Sequence, residues 1–362
     1  MSAGRPLDVA VAEALRGPRG ANPLVGAVVT AGPDDAPRIL ATGHHRGRGT
    51  AHAEVDALAA LARTLDGGPV PADATLWVTL EPCDHHGTTG PCSEAVLASG
   101  VRRVRYAVAD PTGPDGGGAA RLSAAGLDVA QVPDDGAAHA LNRRWLRARD
   151  AGRPFVTGHL AQSLDGRVAA ADGTSQWITG AASRRHAHEV RSRVDAIVVG
   201  TGTVLADDPR LTARRDDGTD HPVQPVPVVQ GRRPVPAAAA LRRGRDDDAA
   251  GAAGSWVHVP EHDPAALLDR LAALDGPWPH GGRRPGHVLI EGGPTVLSAW
   301  LEADLVDEVF VYQAPLVIGH GPSGLHWPAH TTLSQSRTLV LDDAETGGPR
   351  RLGDDILIHL AA

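Results

Sequence analysis

The sequence contains no lysine, and all 35 of its basic residues are arginines. This absence excludes a P-loop, whose lysine contacts phosphate, and any mechanism in which a lysine amine forms a Schiff base. Only two cysteines are present, Cys83 and Cys92, which is too few for a disulfide framework in a chain of this size. One bridge that closes a short loop is an alternative, but cysteines this close favour a cytosolic metal site.

Other deficits narrow the class of protein further. No run of about eighteen apolar residues exists, so no membrane-spanning helix is expected. Acidic residues interrupt the N-terminal segment MSAGRPLDVAVAEAL, which argues against an export signal. The formal net charge is −8 without a basic stripe, which disfavours nucleic acid as the main partner. We therefore expect a cytoplasmic protein that acts on a small molecule, with no membrane partner; homo-oligomer formation stays open.

The 362 residues suffice for two domains, and a hydrophobic content of 42% allows each domain a core. Aromatic residues make up only 3%, so alanine, valine, leucine and isoleucine must build these cores. Strand and helix patterns alternate in the first part, which predicts an α/β domain over residues 1–150. Helices are predicted at 7–15, 53–62 and 93–99, strands at 25–29, 75–80 and 101–108, and a further helix-to-strand step at 121–130.

The pattern restarts near residue 150 with a turn-rich joint at 150–154. A second domain is predicted over residues 151–362. The stretch 231–254 is rich in Arg, Asp, Ala and Gly and is predicted to be a loose surface loop. Strands of the second domain are predicted to begin at Phe155 and to lie at 196–199, 226–229, 287–290 and 308–312.

Four residues of the first domain have the order of a catalytic zinc centre. His52 and Glu54 form a His-x-Glu pattern at a predicted helix start, and Cys83 and Cys92 follow, the first directly after a proline. A catalytic zinc takes three protein ligands and leaves its fourth position for water, and one histidine and two cysteines supply those three. Glu54 is close enough to transfer protons without binding the metal. Zinc deaminases use this arrangement of residues.

Each piece of this pattern has an ordinary explanation when it is taken alone. A single His-x-Glu is usually a solvated helix start, and two cysteines in one loop can be buried thiols. The pieces occur in the right order, however, and they use every cysteine of the chain, which favours the zinc deaminase. A non-catalytic zinc-stabilised binding protein is an alternative, but a structural zinc prefers four protein ligands and has no use for Glu54. An editing deaminase of nucleic acids is disfavoured by the acidic charge and the scarce aromatics.

The segment around Cys83 is similar to one particular family. Eight residues separate the two cysteines, and the stretch Leu80-Glu-Pro-Cys-Asp-His-His-Gly87, which closes with Pro91-Cys92, resembles the bifunctional riboflavin-biosynthesis family RibD, also called RibG. The similarity includes the stretches 22–29, 43–45 and 109–111. It implies an N-terminal cytidine-deaminase-like α/β/α layer. It also implies that the substrate is held at four positions: Asn22, His45, His85 and Asp110.

The second half carries segments that resemble the reductase half of the same family. At Glu291-Gly-Gly-Pro-Thr, a predicted apolar strand is followed by two glycines and a predicted helix start. Backbone N–H groups at such a helix start can bind a phosphate, but an ordinary tight turn has the same sequence pattern. The segments at 163–167, 175–179 and 200–209 complete the resemblance, which implies a dihydrofolate-reductase-like α/β domain. The implied NADPH contacts are Ala161, Trp177, Thr203, Asp207, Gly293, Pro294, Thr295, Val296, Leu297, Ser298 and Ala299. The implied substrate contacts are Ser175, Arg191, Leu211, Arg214 and Glu291.

Three positions depart from the family's pattern. The family usually has a basic residue where Thr88 stands, asparagine where Thr112 stands and lysine where His159 stands. Arg46 or Arg48 could replace the charge missing at Thr88. Histidine at position 159 can still donate a hydrogen bond, but it is shorter than lysine and mostly neutral at pH 7. These departures suggest a second hypothesis, a paralogue that acts on a related pyrimidine in specialised metabolism.

The resemblance implies two successive reactions and two cofactors. The zinc site would deaminate 2,5-diamino-6-ribosylamino-4(3H)-pyrimidinone 5′-phosphate by hydrolysis. The second site would then use NADPH to reduce the ribose of 5-amino-6-(5-phosphoribosylamino)uracil to a ribityl group. Arg191 and Arg214 are expected to bind the substrate phosphate, since guanidinium pairs with phosphate in bidentate fashion.

Overall fold

The computed structural model of the protein describes residues 5–18, 22–33, 36–47, 49–86, 90–111, 117–133, 136–243, 245, 255–274, 278–342 and 348–362. The chain forms two compact units, Met1–Asp150 and Ala151–Ala362. Within the described residues, no helix combines the length and the apolar character that crossing a membrane requires.

The first unit is a mixed sheet with helices packed on it. Strand β1 is antiparallel to both of its neighbours, whereas β3, β4 and β5 are parallel, in the order β2-β1-β3-β4-β5. Every residue of β1 and β3 is buried, as expected for central strands. The strands are β1 Gly26–Ala31, β2 Arg38–His44, β3 Thr75–Leu80, β4 Arg103–Val108 and β5 Asp128–Gln131; the helices are α1 Pro6–Ala14, α2 Ala53–Leu65, α3 Cys92–Ser99, α4 Gly118–Ala124 and α5 Ala137–Ala151.

Two glycines let helices approach this sheet closely. A Cβ at Gly26 would lie 1.9 Å from the carbonyl oxygen of Ala10, so α1 can pack against β1 only because position 26 has no side chain. A Cβ at Gly43 would lie 2.3 Å from the backbone nitrogen of Ala57, which fixes α2 against β2 in the same way. Because α2 begins directly after His52, this contact positions the start of the zinc pattern.

The second unit is built on a larger sheet of mostly parallel strands. Its order is β12-β14-β11-β6-β10-β7-β8-β9, with β13 paired to β14. Strands β11, β6, β10, β7, β8 and β9 are parallel, so their carboxyl ends meet at one edge. The strands are β6 Phe155–Gln162, β7 Ala196–Gly200, β8 Val226–Gln230, β9 Val257–Val259, β10 His287–Ile290, β11 Glu308–Gln313, β12 Val340–Leu341, β13 Arg350–Leu352 and β14 Asp355–Ala361; the helices are α6 Ala181–Arg191, α7 Thr201–Asp207, α8 Pro264–Ala273 and α9 Pro294–Glu302.

Two local expectations from the sequence are only partly correct. The predicted loose loop at 231–254 contains a short helical turn at Ala240–Arg242, where Leu241 is fully buried in the core of the second unit. Apolar residues inside an otherwise polar stretch thus pack inward; residues 244 and 246–254 lie outside the described part. The predicted joint at 150–154 begins too early, because helix α5 continues through Ala151.

Two candidate active sites

The three predicted zinc ligands meet in the first unit. His52 immediately precedes α2, Cys83 follows β3, and Cys92 is the first residue of α3. The Nδ1 atom of His52 lies 3.5 Å from the sulfur of Cys83 and 3.3 Å from that of Cys92. Their ligand atoms all lie within 4.8 Å of one another. Three chain segments that are distant in sequence thus bring one imidazole and two thiols to a single point.

This donor set fits a zinc ion. Both cysteines are free and buried, and sulfur and imidazole nitrogen are the ligands that zinc prefers. Hydrogen bonds from Cys92 and His52 lower the pKa of Cys83 to about 4, so one ligand is already a thiolate at neutral pH. The hydrogen bond to Cys83 and burial raise the pKa of Cys92. Metal binding would have to release that proton, as it does at cysteine sites generally.

A second group of metal-binding residue types lies in the other unit, where Glu308, Asp342 and His359 are all buried. The Nε2 atom of His359 lies 2.9 Å from Glu308, whose other oxygen accepts a hydrogen bond from Thr157. These contacts join β14, β11 and β6 through polar side chains inside the unit.

Acidic residues hold the cysteine loop in place. Asp84 accepts hydrogen bonds from Ser93 and, at 2.7 Å, from Arg121, which ties the residue after Cys83 to α3 and α4. Glu81 accepts the backbone N–H groups of Asp110 and Ala119 at 3.2 and 3.1 Å. Sequence reasoning assigned no role to Glu81 or Asp84. Their only signal was their place in the Leu-Glu-Pro-Cys-Asp stretch.

Glu54 lies in the first turn of α2, two residues after the ligand His52. It is 3% exposed, and its carboxyl group contacts the thiol of Cys92. Burial raises the pKa of Glu54 to about 7, so the carboxyl group can both take up and release a proton near neutral pH. A carboxyl group with this position and this pKa is suited to proton transfer, and the catalytic role of Glu54 stays a prediction.

Two of the four predicted deaminase substrate residues lie beside the zinc ligands. The Nδ2 atom of Asn22 is 3.0 Å from Nε2 of His45, and the rings of His45 and His52 are 5.3 Å apart. Burial lowers the pKa of His45, which is therefore neutral at pH 7. Nδ1 of His45 lies 3.2 Å from the carbonyl oxygen of Ala51, which directs Nε2 toward Asn22.

The other two predicted residues, Asp110 and His85, are positioned differently. Asp110 is tied to Glu81 through its backbone, and the His85 side chain is exposed. Arg46, a candidate for the missing positive charge, pairs with Asp56 at 3.2 Å. The other candidate, Arg48, and the departures Thr88 and Thr112 lie outside the described residues. The roles of His85 and Asp110 therefore stay predictions.

In the second unit, two helices begin where neighbouring parallel strands end. Helix α7 follows β7 directly, and α9 follows β10 after the pair Gly292-Gly293. The hydroxyl of Thr203 on α7 accepts the N–H of Gly293 at 3.3 Å, which joins the two helix starts. A Cβ at Gly292 would lie 2.6 Å from Cβ of Val296, so this tight strand-to-helix turn requires glycine. Backbone N–H groups at such helix starts suit phosphate groups.

The predicted NADPH residues fall into two sets. Trp177 is 66% exposed, and the guanidinium of Arg184 lies 4.4 Å from its ring. Asp207 accepts a hydrogen bond from Ser175 at 3.4 Å, and Ala161 lies near the carboxyl end of β6. Leu297 and Ser298, in contrast, are 1% and 3% exposed. Their side chains pack inside the protein, whereas Thr295 is exposed and Gly293, Pro294, Val296 and Ala299 are partly exposed.

The predicted substrate residues Arg191 and Glu291 form a partly buried ion pair. Nε and Nη2 of Arg191 donate to the two carboxylate oxygens of Glu291 at 2.8 and 2.5 Å, and Nη1 donates to the carbonyl oxygen of Thr212 at 3.1 Å. Burial would raise the pKa of Glu291, but the charge of Arg191 and these hydrogen bonds lower it more, so the carboxylate is ionised. The bidentate phosphate contact expected of Arg191 is not available in this arrangement, because Glu291 already uses that face of the guanidinium.

Arg214 is placed differently. Its Nη2 lies 3.2 Å from Nε2 of His188, its Nε is buried without a hydrogen-bond partner, and it forms no ion pair with a carboxylate among the residues described. Burial and the charges of Arg191 and Arg214 lower the pKa of His188 to about 4, so this histidine is neutral. Nearby, Leu211 has a φ of 53°, a conformation that side-chain-bearing residues rarely adopt outside functional or strained sites.

Three further residues of this site escaped prediction: His186, His188 and Tyr312. The ring of Tyr312 lies 4.7 Å from that of His159, and its hydroxyl is 2.8 Å from Nδ1 of His186. Burial lowers the pKa of His159, which is therefore neutral where the family usually carries a charged lysine. The histidines lie on a polar helix without a recognisable motif, so the sequence offered no signal for them.

Comparison with known proteins covers both units. Residues 154–342 match the family model of the RibD C-terminal domain, and residues 4–108 match the cytidine and deoxycytidylate deaminase zinc-binding region. The riboflavin biosynthesis protein RibD of Mycobacterium tuberculosis is 40% identical over 342 residues, which are 94% of this chain and 91% of that protein. The RibD of Escherichia coli K12 is 32% identical, with 94% and 93% covered.

Solved structures agree with these matches. A RibD of Acinetobacter baumannii superimposes with a TM-score of 0.82 at 31% identity, covering 98% of this chain and 97% of that one. A diaminohydroxyphosphoribosylaminopyrimidine deaminase/5-amino-6-(5-phosphoribosylamino)uracil reductase of Thermotoga maritima gives a TM-score of 0.79 at 27% identity, with the same coverage. The predicted fold class, a deaminase-like layer followed by a reductase domain, is confirmed.

Proposed function

The chain belongs to the RibD family of riboflavin biosynthesis proteins, and on that premise we propose that residues 1–150 carry out the deamination and residues 151–362 the reduction. The protein is a bifunctional deaminase and reductase of riboflavin biosynthesis, and it uses zinc and NADPH. The convergence of His52, Cys83 and Cys92 beside the buried Glu54 is the observation that carries the assignment of the first reaction.

In the deaminase unit, His52, Cys83 and Cys92 would hold the zinc, which supplies a Lewis acid that activates water. Glu54 takes the proton of the attacking water and delivers it to the leaving amino group, so that water enters and ammonia leaves. The neutral His45 and Asn22 can hold the edge of the pyrimidine, since both offer hydrogen-bonding groups beside the metal ligands.

In the reductase unit, NADPH supplies the hydride. The helix starts after β7 and β10 offer backbone N–H groups for its phosphates, and the exposed ring of Trp177 offers a surface for stacking. Arg214, whose charge no described carboxylate pairs, would bind the substrate phosphate. Glu291, fixed by Arg191, would accept hydrogen bonds from the substrate.

Mass spectrometry of the product tests both reactions. Without NADPH, an oxygen atom should replace one amino group of the diaminopyrimidine ribosyl phosphate. With NADPH present, this deaminated product should gain two further hydrogens. Unchanged substrate under both conditions, with zinc bound, would contradict the assignment. The paralogue hypothesis rests on the departures at Thr88, Thr112 and His159, and it gains support if a related pyrimidine reacts faster than this substrate.

We place the enzyme in the cytoplasm, because both of its cysteines are free thiols at a metal site and a reducing compartment preserves them. Fractionation of cells that express the protein would test this location.

A further inference from the structure

A hydrogen bond and close ring contacts connect Tyr312 with His186 and His159. Tyr312 on β11 is 1% exposed, and its hydroxyl lies 2.8 Å from Nδ1 of His186. His186 lies on α6 and is half-buried, so it is closer to solvent than the tyrosine. On its other side, Tyr312 packs against His159, which extends from the neighbouring strand β6.

Tyr312 lies within electrostatic reach of the proposed substrate residues Arg191 and Glu291. Burial and the negative charge of Glu291 raise the pKa of Tyr312, so the hydroxyl keeps its proton at neutral pH. Such a group can pass a proton on only if a neighbour replaces it. The charged and titratable groups that face Tyr312 are His159 on β6, His186, Glu189 and Arg191 on α6, Glu291 after β10 and Arg350 on β13.

The reduction consumes one proton, and this step rests on the proposed function. Hydride from NADPH forms a bond to C1′, the C1′–O4′ bond breaks, and O4′ takes a proton to become a hydroxyl while NADPH becomes NADP⁺. The described ionisable groups at the pocket are poor sources of this proton. Glu291 is ionised, His188 is neutral, and the guanidinium groups of Arg191 and Arg214 do not release protons.

We propose that His186 and Tyr312 form the route by which this proton reaches the pocket. His186 exchanges protons with solvent and donates one to the tyrosine oxygen, while the hydroxyl of Tyr312 releases its own proton toward Glu291 and the bound sugar. The 2.8 Å contact between the two side chains is the link that the route requires. In this scheme His186 acts through Tyr312 and positions the proton, and it has no contact with the substrate.

The test is the His186→Ala variant with imidazole added to the buffer. We expect the kcat of reduction to fall about a hundredfold or more, the lower end of what proton-transfer groups contribute, with little change in either KM. Free imidazole should restore much of the rate, because it can occupy the vacated space and exchange protons. Tyr312→Phe should lose a similar factor that imidazole does not restore. In the free protein, the ¹⁵N NMR shift of His186 Nδ1 should change when Tyr312 becomes phenylalanine.

His258→Ala is a matched control, since His258 is also half-buried but lies on β9 at the far edge of the sheet. It should keep its reduction rate with and without imidazole. An unchanged kcat in His186→Ala would overturn the proposal, and so would a loss that imidazole leaves unrestored while the substrate KM rises. If the wild-type protein itself fails to reduce the deaminated substrate with NADPH, the proposed function is wrong instead.

Discussion

Arg191 and Arg214 carry the same charge, but their surroundings give the two side chains different chemistry. Arg191 forms a bidentate ion pair with Glu291, so the charge of Arg191 is already compensated within the protein. Arg214 faces the neutral His188, and burial and the charges of Arg191 and Arg210 lower its pKa. An unpaired, partly buried cation is a strong attractor for phosphate, whereas a paired one mainly orients its partner.

This difference predicts separate outcomes for the two arginines. Arg214→Ala should lower kcat/KM for the phosphorylated substrate by one to two decades, since a charge-assisted contact contributes about 1.5–3 kcal/mol. The dephosphorylated substrate and the KM for NADPH should change little. Arg191→Ala should impair both substrate forms alike, because it leaves Glu291 as a buried unpaired charge. Steady-state kinetics with the phosphorylated and the dephosphorylated substrate test both expectations. Arg215→Ala, which removes a neighbouring exposed arginine, is the control. A sharp rise in the NADPH KM of the Arg214 variant would assign this pocket to the cofactor.

A substitution that removes the charge of Glu54 but keeps the shape of its side chain should impair catalysis without impairing zinc binding. We expect Glu54→Gln to keep about one zinc per chain but to deaminate at least about a hundredfold more slowly, the usual contribution of a positioned acid–base group. Reduction of substrate that is already deaminated should be unaffected. Zinc analysis and separate assays of the two reactions provide the measurement, and loss of both activities in a folded, zinc-loaded variant would contradict the two-site assignment.

Among the elements, helix α2 contributes most to the deaminase site, because its start carries both His52 and Glu54. Its position depends on the bare backbone of Gly43 in β2. The contact between α2 and β2 therefore positions the metal ligands, and a change at this contact should weaken zinc binding.

Gly43→Ala should lower the stability of the first unit and weaken zinc retention together. The added methyl would overlap the backbone of α2, and overpacking of this kind costs about 1–3 kcal/mol. Thermal unfolding and zinc content of the purified variant check this. Gly90→Ala, where a Cβ would meet nothing within 4 Å, should behave like the wild type. Full stability and full zinc in Gly43→Ala would show that α2 can shift without cost.

The sequence predicted those elements whose pattern is local. The strand at Thr75–Leu80 is mostly apolar, and the turn Glu291-Gly292-Gly293 is marked by its glycines. Helix α6 went unpredicted, because its buried positions are only Ser183 and Val190, too few to give a helical apolar pattern. The pair Arg191–Glu291 spans 100 residues and depends on the order of strands in the sheet, which no local pattern encodes.

On the scale of the whole molecule, the two compact units each carry one set of reactive residues. The zinc ligands and Glu54 all lie within Met1–Asp150, and the residues assigned to NADPH lie within Ala151–Ala362. Each unit has its own sheet and its own core, so loss of one cofactor need not disturb the other site.

Removal of zinc should therefore abolish one reaction and spare the other. After treatment with a chelator, we expect deamination to be lost and to return on addition of zinc. Reduction of the deaminated substrate should keep most of its rate throughout, because no zinc ligand belongs to the second unit. Parallel assays before chelation, after it and after zinc addition measure this. A loss of reduction that tracks the zinc content would show that the metal also supports the second unit.

Trp177 is the only one of the seven tryptophans that is exposed; Trp278 and Trp300, for instance, are 1% and 0% exposed. Part of the protein's intrinsic fluorescence therefore comes from a ring at the proposed cofactor surface. A dissolved quencher such as iodide should reach this ring first, drawn also by the neighbouring Arg184. Bound NADPH should both shield the ring and accept its excitation energy, so the emission of the unmodified protein can report cofactor binding without a label.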